Sequence, residues 1–172
     1  MKFNGRTLKR RLYGLTMLPS RVARVRYFRG HGVHSPFVYR IVRQVFMKRE
    51  FLNEERAVYE ALLAHQVAHK RAMQLQNLAV HCAYRTFAID AWSEEADWLL
   101  LTPALSEEQS RVLIHHAATC GKMVALLTPY AGRERSEFCK AVIEEHRCTS
   151  VDNRGFLLLF THPDLPKQHY RI

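Results

Sequence analysis

Glycine and proline are scarce in this chain, with 7 and 6 residues respectively among 172. That scarcity excludes a collagen-like, linker or low-complexity protein. No repeat with a period of 20–50 residues is present, which excludes the common solenoids and propellers. With 48% hydrophobic residues, the chain has enough apolar side chains to bury the core of one domain.

Cysteine and long apolar runs are also limited. The sequence contains four cysteines, Cys82, Cys120, Cys139 and Cys148, and no two are separated by two residues. This spacing excludes a zinc ribbon and a thioredoxin-type redox motif, and it favours reduced, mostly buried thiols.

The longest strictly apolar runs, such as Phe156–Phe160, are far too short for a membrane span. The basic N-terminus is followed by no apolar stretch typical of a signal peptide. We therefore expect a cytoplasmic protein with no integral membrane segment.

Acidic residues are almost absent from the first 50 positions. Residues 1–50 hold 13 lysines and arginines and one acid, Glu50, whereas residues 51–172 carry a net charge of −2. Leu8, Leu12, Leu15 and Leu18 have helical spacing in this segment. We therefore predict a basic helical arm over residues 1–50 and an α/β domain over residues 51–172. Such an arm attracts phosphate-bearing polyanions, nucleic acid or anionic lipid, although a solubilising extension has the same composition.

Helix signals dominate the first half of the chain. Ser35 and Pro36 are typical of an N-cap followed by proline at the first helical position, and this helix is predicted to reach about Lys48. Asn53 is placed to cap a second, long helix over residues 54–80, which has room for one break.

The second half alternates apolar strand patterns with helical patterns. The predicted strands are Thr86–Asp90, Asp97–Thr102, Lys122–Thr128, Cys148–Val151 and Phe156–Phe160, and the predicted helices are 106–119 and 133–146. Strands separated by such helices predict a mainly parallel sheet. Asp152-Asn153-Arg154-Gly155 indicates a hairpin between the last two strands, which we predict as an antiparallel edge.

Two segments at opposite ends of the chain resemble one protein family. Residues 29–38 read Arg-Gly-His-Gly-Val-His-Ser-Pro-Phe-Val, and residues 155–160 and 167–170 read Gly-Phe-Leu-Leu-Leu-Phe and Lys-Gln-His-Tyr. Together they resemble the ends of bacterial class I S-adenosylmethionine-dependent methyltransferases. The resemblance covers roughly residues 25–50 and 86–172. It implies a reduced Rossmann-like fold whose antiparallel strand is inserted beside the last parallel one.

The features that such an enzyme uses for its cofactor are missing. The family approaches the cofactor with a glycine-rich turn and holds its ribose with an acidic residue at a strand end. No glycine occurs between Phe51 and Arg85. Two strands that end in acids in related O-methyltransferases end here in Thr102-Pro103 and Thr128-Pro129. A threonine hydroxyl is no general base without an activating partner. We therefore assign no catalytic residue and expect no bound S-adenosylmethionine.

Five residues are candidates for contacting a ligand or an anion. They are Arg29, His31, His34 and Ser35 in the N-terminal motif and Asp90 at a strand end. For each, a structural role is the alternative: the motif would pack the arm on the sheet, and Asp90 would serve as a cap or turn residue.

One pair of histidines is a candidate for binding a metal ion. His65 and His69 are four apart, which would place them on one face of the predicted long helix. The glutamate of a zinc-protease helix does not lie between them. We assign no metal site.

The sequence thus favours a degenerate methyltransferase-like protein that acts as a binding or interaction protein without normal cofactor binding. One alternative is an active S-adenosylmethionine-dependent methyltransferase with an atypical site or one completed in a homo-oligomer. The other is a basic nucleic-acid-binding module, because Tyr13, Tyr27 and Phe28 stand among the arginines of the arm.

Overall fold

Helices and strands succeed one another over residues 33–172, the part of the chain that the computed structural model describes. The α-helices are α1 (Pro36–Ile41), α2 (Ala57–Ala64), α3 (His69–His81), α4 (Glu107–Thr119) and α5 (Arg133–Glu145). The strands are β1 (Phe87–Ile89), β2 (Trp98–Leu101), β3 (Met123–Leu127), β4 (Ser150–Asp152), β5 (Phe156–Leu159) and β6 (His169–Arg171). The predicted α/β class is confirmed.

All six strands form one sheet in the order β1-β2-β3-β5-β4-β6. β5 runs antiparallel to both of its neighbours, and the other pairings are parallel. The sheet is therefore mixed and mainly parallel, as predicted. The prediction that the hairpin forms the edge of the sheet is wrong. β5 is an interior strand, and the tail residues His169–Arg171 pair with β4 as the outermost strand.

The sheet lies between two helical layers. Side chains of successive strand residues point to opposite faces, so alternate residues of each strand enter different cores. Trp98, Leu100 and Phe156 face the layer that contains α1, α2 and α3, whereas Leu99 and Leu101 face α4 and α5. These side chains are fully buried.

The start of α1 follows the predicted capping pattern. The Ser35 hydroxyl accepts a hydrogen bond from the Val38 amide at 3.3 Å, and Pro36 occupies the first helical position. The helix continues as a π-helical segment over Val42–Phe46. The Phe37 ring packs edge-on against Phe160 at 4.9 Å, and Phe46 packs near Phe156 at 5.6 Å.

The predicted long helix is divided into α2 and α3. Gln66 between them has a left-handed backbone with φ of 59°. The Asn53 cap is wrong: Arg56 occupies the N-cap position, and the Asn53 carboxamide accepts from the Glu55 amide at 3.1 Å instead. His65 and His69 do not share a helix face, because the break falls between them.

A short loop joins the parallel strands β1 and β2. The Lys122 ammonium donates to the carbonyl oxygens of Ser93, Glu94 and Ala96 at 3.3, 2.5 and 2.5 Å. The Asp97 carboxylate accepts hydrogen bonds from the amides of Arg85 and Thr86 at 2.6 and 2.8 Å. Both bonds lower the pKa of Asp97, and the bond from Thr86 has the larger effect. These polar contacts order the loop between β1 and β2, which contains no helix.

β1 forms one edge of the sheet. Among residues 33–172 it pairs only with β2, and the buried residues of α3 belong to the core on one face of the sheet. The strand is three residues long, which limits the number of unpaired backbone groups that it presents. No helix of the described residues has the length and apolar character needed to cross a membrane.

Candidate functional site at the carboxyl ends of the strands

The parallel strands end at a common edge of the sheet, where open α/β sheets bind ligands. The residue after β1 is Asp90, the residue after β2 is Thr102, and the residue after β3 is Thr128. The hairpin between β4 and β5 reaches the same edge, because Asp152 pairs with Leu157 and Leu127 pairs with Phe156. We call this the carboxyl edge.

Asp90 and Thr102 form a closed pair at this edge. Thr102 donates its amide to one Asp90 oxygen and its hydroxyl to the other, each at 2.6 Å. The hydroxyl also accepts from the Ala104 amide at 3.1 Å. Asp90 has a left-handed φ of 55°, and Thr102 is 5% exposed. Both carboxylate oxygens thus accept hydrogen bonds from the neighbouring strand end. Asp90 therefore has a structural role at the turn after β1.

Thr128 is strained and incompletely bonded. Its φ of 45° is left-handed, which is rare for a β-branched residue and costs on the order of 1–3 kcal/mol. Its amide donates to Gly155 O at 2.8 Å, which ties the end of β3 to the hairpin. Its hydroxyl oxygen is buried and has no hydrogen-bond partner. Strain of this kind persists only where the surrounding structure imposes it, and it clusters at functional sites.

Arg135 brings a positive charge to the same edge. It lies in the first turn of α5, which begins after Gly132 without a side-chain cap. One guanidinium nitrogen, Nη2, lies 3.4 Å from Leu101 O and 3.5 Å from Leu127 O. These bonds are longer than the usual 2.7–3.2 Å. The Nε atom is buried without a partner, and burial lowers the pKa of Arg135. No ion pair to Arg135 is formed within residues 33–172.

The hairpin supplies a third group of polar atoms. The Tyr130 hydroxyl donates to the Asp152 carboxylate, which also accepts from the Arg154 amide at 2.7 Å. Arg71 of α3 donates to the Asn153 side-chain oxygen at 3.1 Å and packs over Gly155, where any Cβ would collide with it. The Asn153 side-chain nitrogen is buried without a partner.

The predicted contact residues do not assemble into one site. Arg29 and His31 lie outside the described residues. His34 is exposed, and the Ser35 hydroxyl is used to cap α1. α1 begins near Phe160, at the amino ends of the parallel strands, because β5 runs in the opposite direction. Asp90 therefore lies at the other edge from His34 and Ser35.

Sequence reasoning missed Arg135. It noted Thr102 and Thr128 only as replacements for acids. One signal in the sequence could have identified it. Arg135 lies in the first turn of the helix that follows β3, and such a turn lies beside the end of the strand. Its contact with the carbonyls of two different strands is a tertiary feature that no local pattern encodes.

No group of three His, Cys, Asp or Glu side chains within residues 33–172 is arranged to hold a metal ion. His69 contacts the Tyr59 hydroxyl at 3.0 Å, and His116 stacks on Trp92 at 3.7 Å. Burial raises the pKa of the Cys82 and Cys139 thiols to about 11. Neither is therefore a thiolate nucleophile at neutral pH.

A cavity of about 670 Å³ lies between α4 and α5 at the opposite edge of the sheet. Its lining includes Arg111, Glu145, His146 and Cys148. Arg111 and Glu145 pair across it at 2.7 Å. The His146 Nε2 atom lies 2.8 Å from Phe160 O, which fixes it as the protonated nitrogen. Burial lowers the pKa of His146 below its ordinary value of 6.5.

This histidine predicts a pH dependence of stability. Because the His146 pKa is lower in the folded chain than in the unfolded chain, the unfolded state takes up the proton first as pH falls below about 6.5. The free energy of unfolding should therefore decrease on acidification through this range. His146→Gln should flatten the slope in urea unfolding between about pH 5 and 7, whereas His115→Gln, at an exposed ring in the same cavity, should not. Equal slopes in wild type and His146→Gln would contradict the assignment.

Comparison with known proteins finds no matching protein-family model, curated protein or solved structure.

Proposed function

We propose that this chain is a degenerate methyltransferase-like protein that binds a ligand at its carboxyl edge without the usual S-adenosylmethionine site. The two terminal motifs support the family assignment. The sheet supports it as well, because the antiparallel β5 is inserted between β3 and β4, which are parallel to each other. That is the strand arrangement that the resemblance implies.

The observation that carries the loss of the cofactor site is the end of β1. A class I methyltransferase needs a glycine turn and a helix after its first strand, so that the backbone can approach the cofactor. Here β1 is followed by Asp90-Ala91-Trp92-Ser93 in a loop that leads directly to β2. Trp92 is stacked on His116, and Asp90 is bonded to Thr102. The turn after β1 therefore contains no glycine, and its side chains are engaged in contacts within the chain, which supports the proposed loss of the cofactor site.

Calorimetric titration of the full chain with S-adenosylmethionine and S-adenosylhomocysteine tests this proposal. We expect no saturable heat for either compound at about 100 μM, where a site with a free energy of about −8 kcal/mol would be nearly saturated. Parallel light scattering gives the oligomeric state, because the alternative of a site completed by a second copy requires a homo-oligomer. A low-micromolar dissociation constant in any oligomeric state would refute the proposal and favour an active methyltransferase.

A further inference from the structure

We propose that the cavity between α4 and α5 binds a small organic carboxylate that has an apolar body. This site is separate from the carboxyl edge. The lining includes Cys148, which precedes β4, and Thr161, which follows β5, so the cavity lies at the amino ends of the parallel strands. The inference therefore goes beyond the proposed function and does not depend on it. We call this space the α4–α5 cavity.

The first step is the space itself. The α4–α5 cavity has a volume of about 670 Å³, and sites that bind small molecules have volumes of about 300–1,000 Å³. Its walls are one face of α4, the last turn of α5 and the segment that leads into β4. A second hollow on α4 shares Arg111, His115 and Thr119 with the cavity, so the open space continues along this helix.

The second step is the apolar part of the lining. Ile114 and Ala118 of α4 and Val142 of α5 contribute to it. Val142 is 4% exposed and belongs to the core between the sheet and these helices, and Ile114 packs against the same core. The floor of the cavity is therefore continuous with the hydrophobic core. An apolar ligand body placed here would remove this surface from water, which favours binding.

The third step is the charge of the lining. Arg111 and Glu145 pair at 2.7 Å and neutralise each other. Arg147 also lines the cavity, is exposed, and forms no ion pair within residues 33–172. Burial lowers the pKa of His146, so this ring is mostly neutral at pH 7. The lining thus carries one uncompensated guanidinium beside an apolar floor.

A carboxylate with an apolar body complements both features. A guanidinium binds a carboxylate through two parallel hydrogen bonds, which gives a short and charge-assisted contact. The apolar body would lie between Ile114, Ala118 and Val142. A cation of the same shape would keep the apolar contacts but would be repelled by Arg147. The charge of the ligand is therefore the feature that the experiment varies.

The experiment uses calorimetry to titrate the full chain with 2-naphthoate and with 2-naphthylmethylamine at constant ionic strength. The two probes share one apolar ring system and carry opposite charges at neutral pH. We expect saturable binding of 2-naphthoate with a dissociation constant below about 1 mM. The amine should bind about 10-fold more weakly, because it cannot form the charge-assisted bonds to Arg147.

Three variants assign the binding to the α4–α5 cavity. Ala118→Trp places a large side chain in the space and should weaken binding of 2-naphthoate by about 10-fold or more. Arg147→Gln should weaken 2-naphthoate by about 3- to 10-fold and should not weaken the amine. Lys140→Gln is the matched control. It removes the same charge from an exposed position on α5 outside the lining, so affinity should be unchanged.

Urea unfolding of each variant separates the loss of the site from the loss of the fold. Ala118 and Arg147 are both exposed, so the midpoints should stay close to that of the wild type. If Ala118→Trp lowers the midpoint, Arg147→Gln and its effect on the two probes decide the question. Equal affinities for the two probes, or no saturable binding of 2-naphthoate up to about 1 mM, would overturn the proposal. Unchanged affinity in both Ala118→Trp and Arg147→Gln, or an equal loss in Lys140→Gln and Arg147→Gln, would overturn it as well.

Discussion

Replacing Phe156 by alanine is expected to lower the free energy of unfolding by about 3–5 kcal/mol. Phe156 is fully buried at the start of β5, the interior antiparallel strand. Its ring lies 5.6 Å from Phe46 and faces the guanidinium of Arg71 at 6.0 Å. Truncation therefore leaves a cavity between the sheet and two helical segments, where rigid neighbours cannot collapse to fill it.

Urea unfolding followed by circular dichroism measures this effect. Val112→Ala is a matched control, because Val112 lies on α4 with 63% of its surface exposed, and we expect a change within about 0.5 kcal/mol. A domain of this size is stable by about 5–15 kcal/mol, so Phe156→Ala should shift the midpoint strongly and leave the slope unchanged. A loss below about 1 kcal/mol would contradict the packing of β5 against the α1–α3 layer.

The elements that the sequence predicted best are those whose local signals and packing agree. α4 begins at Glu107 because Ser106 and Gln109 form a reciprocal capping box. The apolar runs of β2 and β3 were recognisable because both faces of these strands are covered, which requires continuous apolar residues. In each case a short stretch of sequence contains the whole cause of the structure.

Where the cause is tertiary, local patterns were insufficient. The break between α2 and α3 falls at Gln66 in a left-handed conformation, a position that glycine usually marks. The Val67 amide donates to Leu62 O at 3.0 Å and closes the turn between the two helices. The residue types in this segment do not indicate a turn. β6 contains three residues, and its pairing of Tyr170 with Val151 gives it strand structure. The candidate site depends on the same kind of long-range contact, since Arg135 reaches the ends of β2 and β3.

Replacing Thr102 by valine is expected to lower the free energy of unfolding by about 1–3 kcal/mol, although the two side chains have nearly the same shape. The substitution keeps the hydrogen bond from the backbone amide of residue 102 to Asp90. It removes the hydroxyl that donates to the second carboxylate oxygen at 2.6 Å. That oxygen would then remain charged at a partly buried strand end without its donor, which costs more than the loss of a neutral hydrogen bond.

Two further variants assign this cost to the hydrogen bond rather than to packing. Thr102→Ser retains the hydroxyl and should recover most of the stability, losing only the contacts of one methyl group. Asp90→Asn combined with Thr102→Val should cost less than the sum of the two single changes, because the pair interacts directly and a neutral amide tolerates the missing donor better. Additive single effects in urea unfolding would show that the two residues are not coupled. The coupling matters for the candidate site as well. The two bonds from Thr102 fix the position of the Asp90 carboxylate, and this carboxylate acts electrostatically on Arg135 of α5.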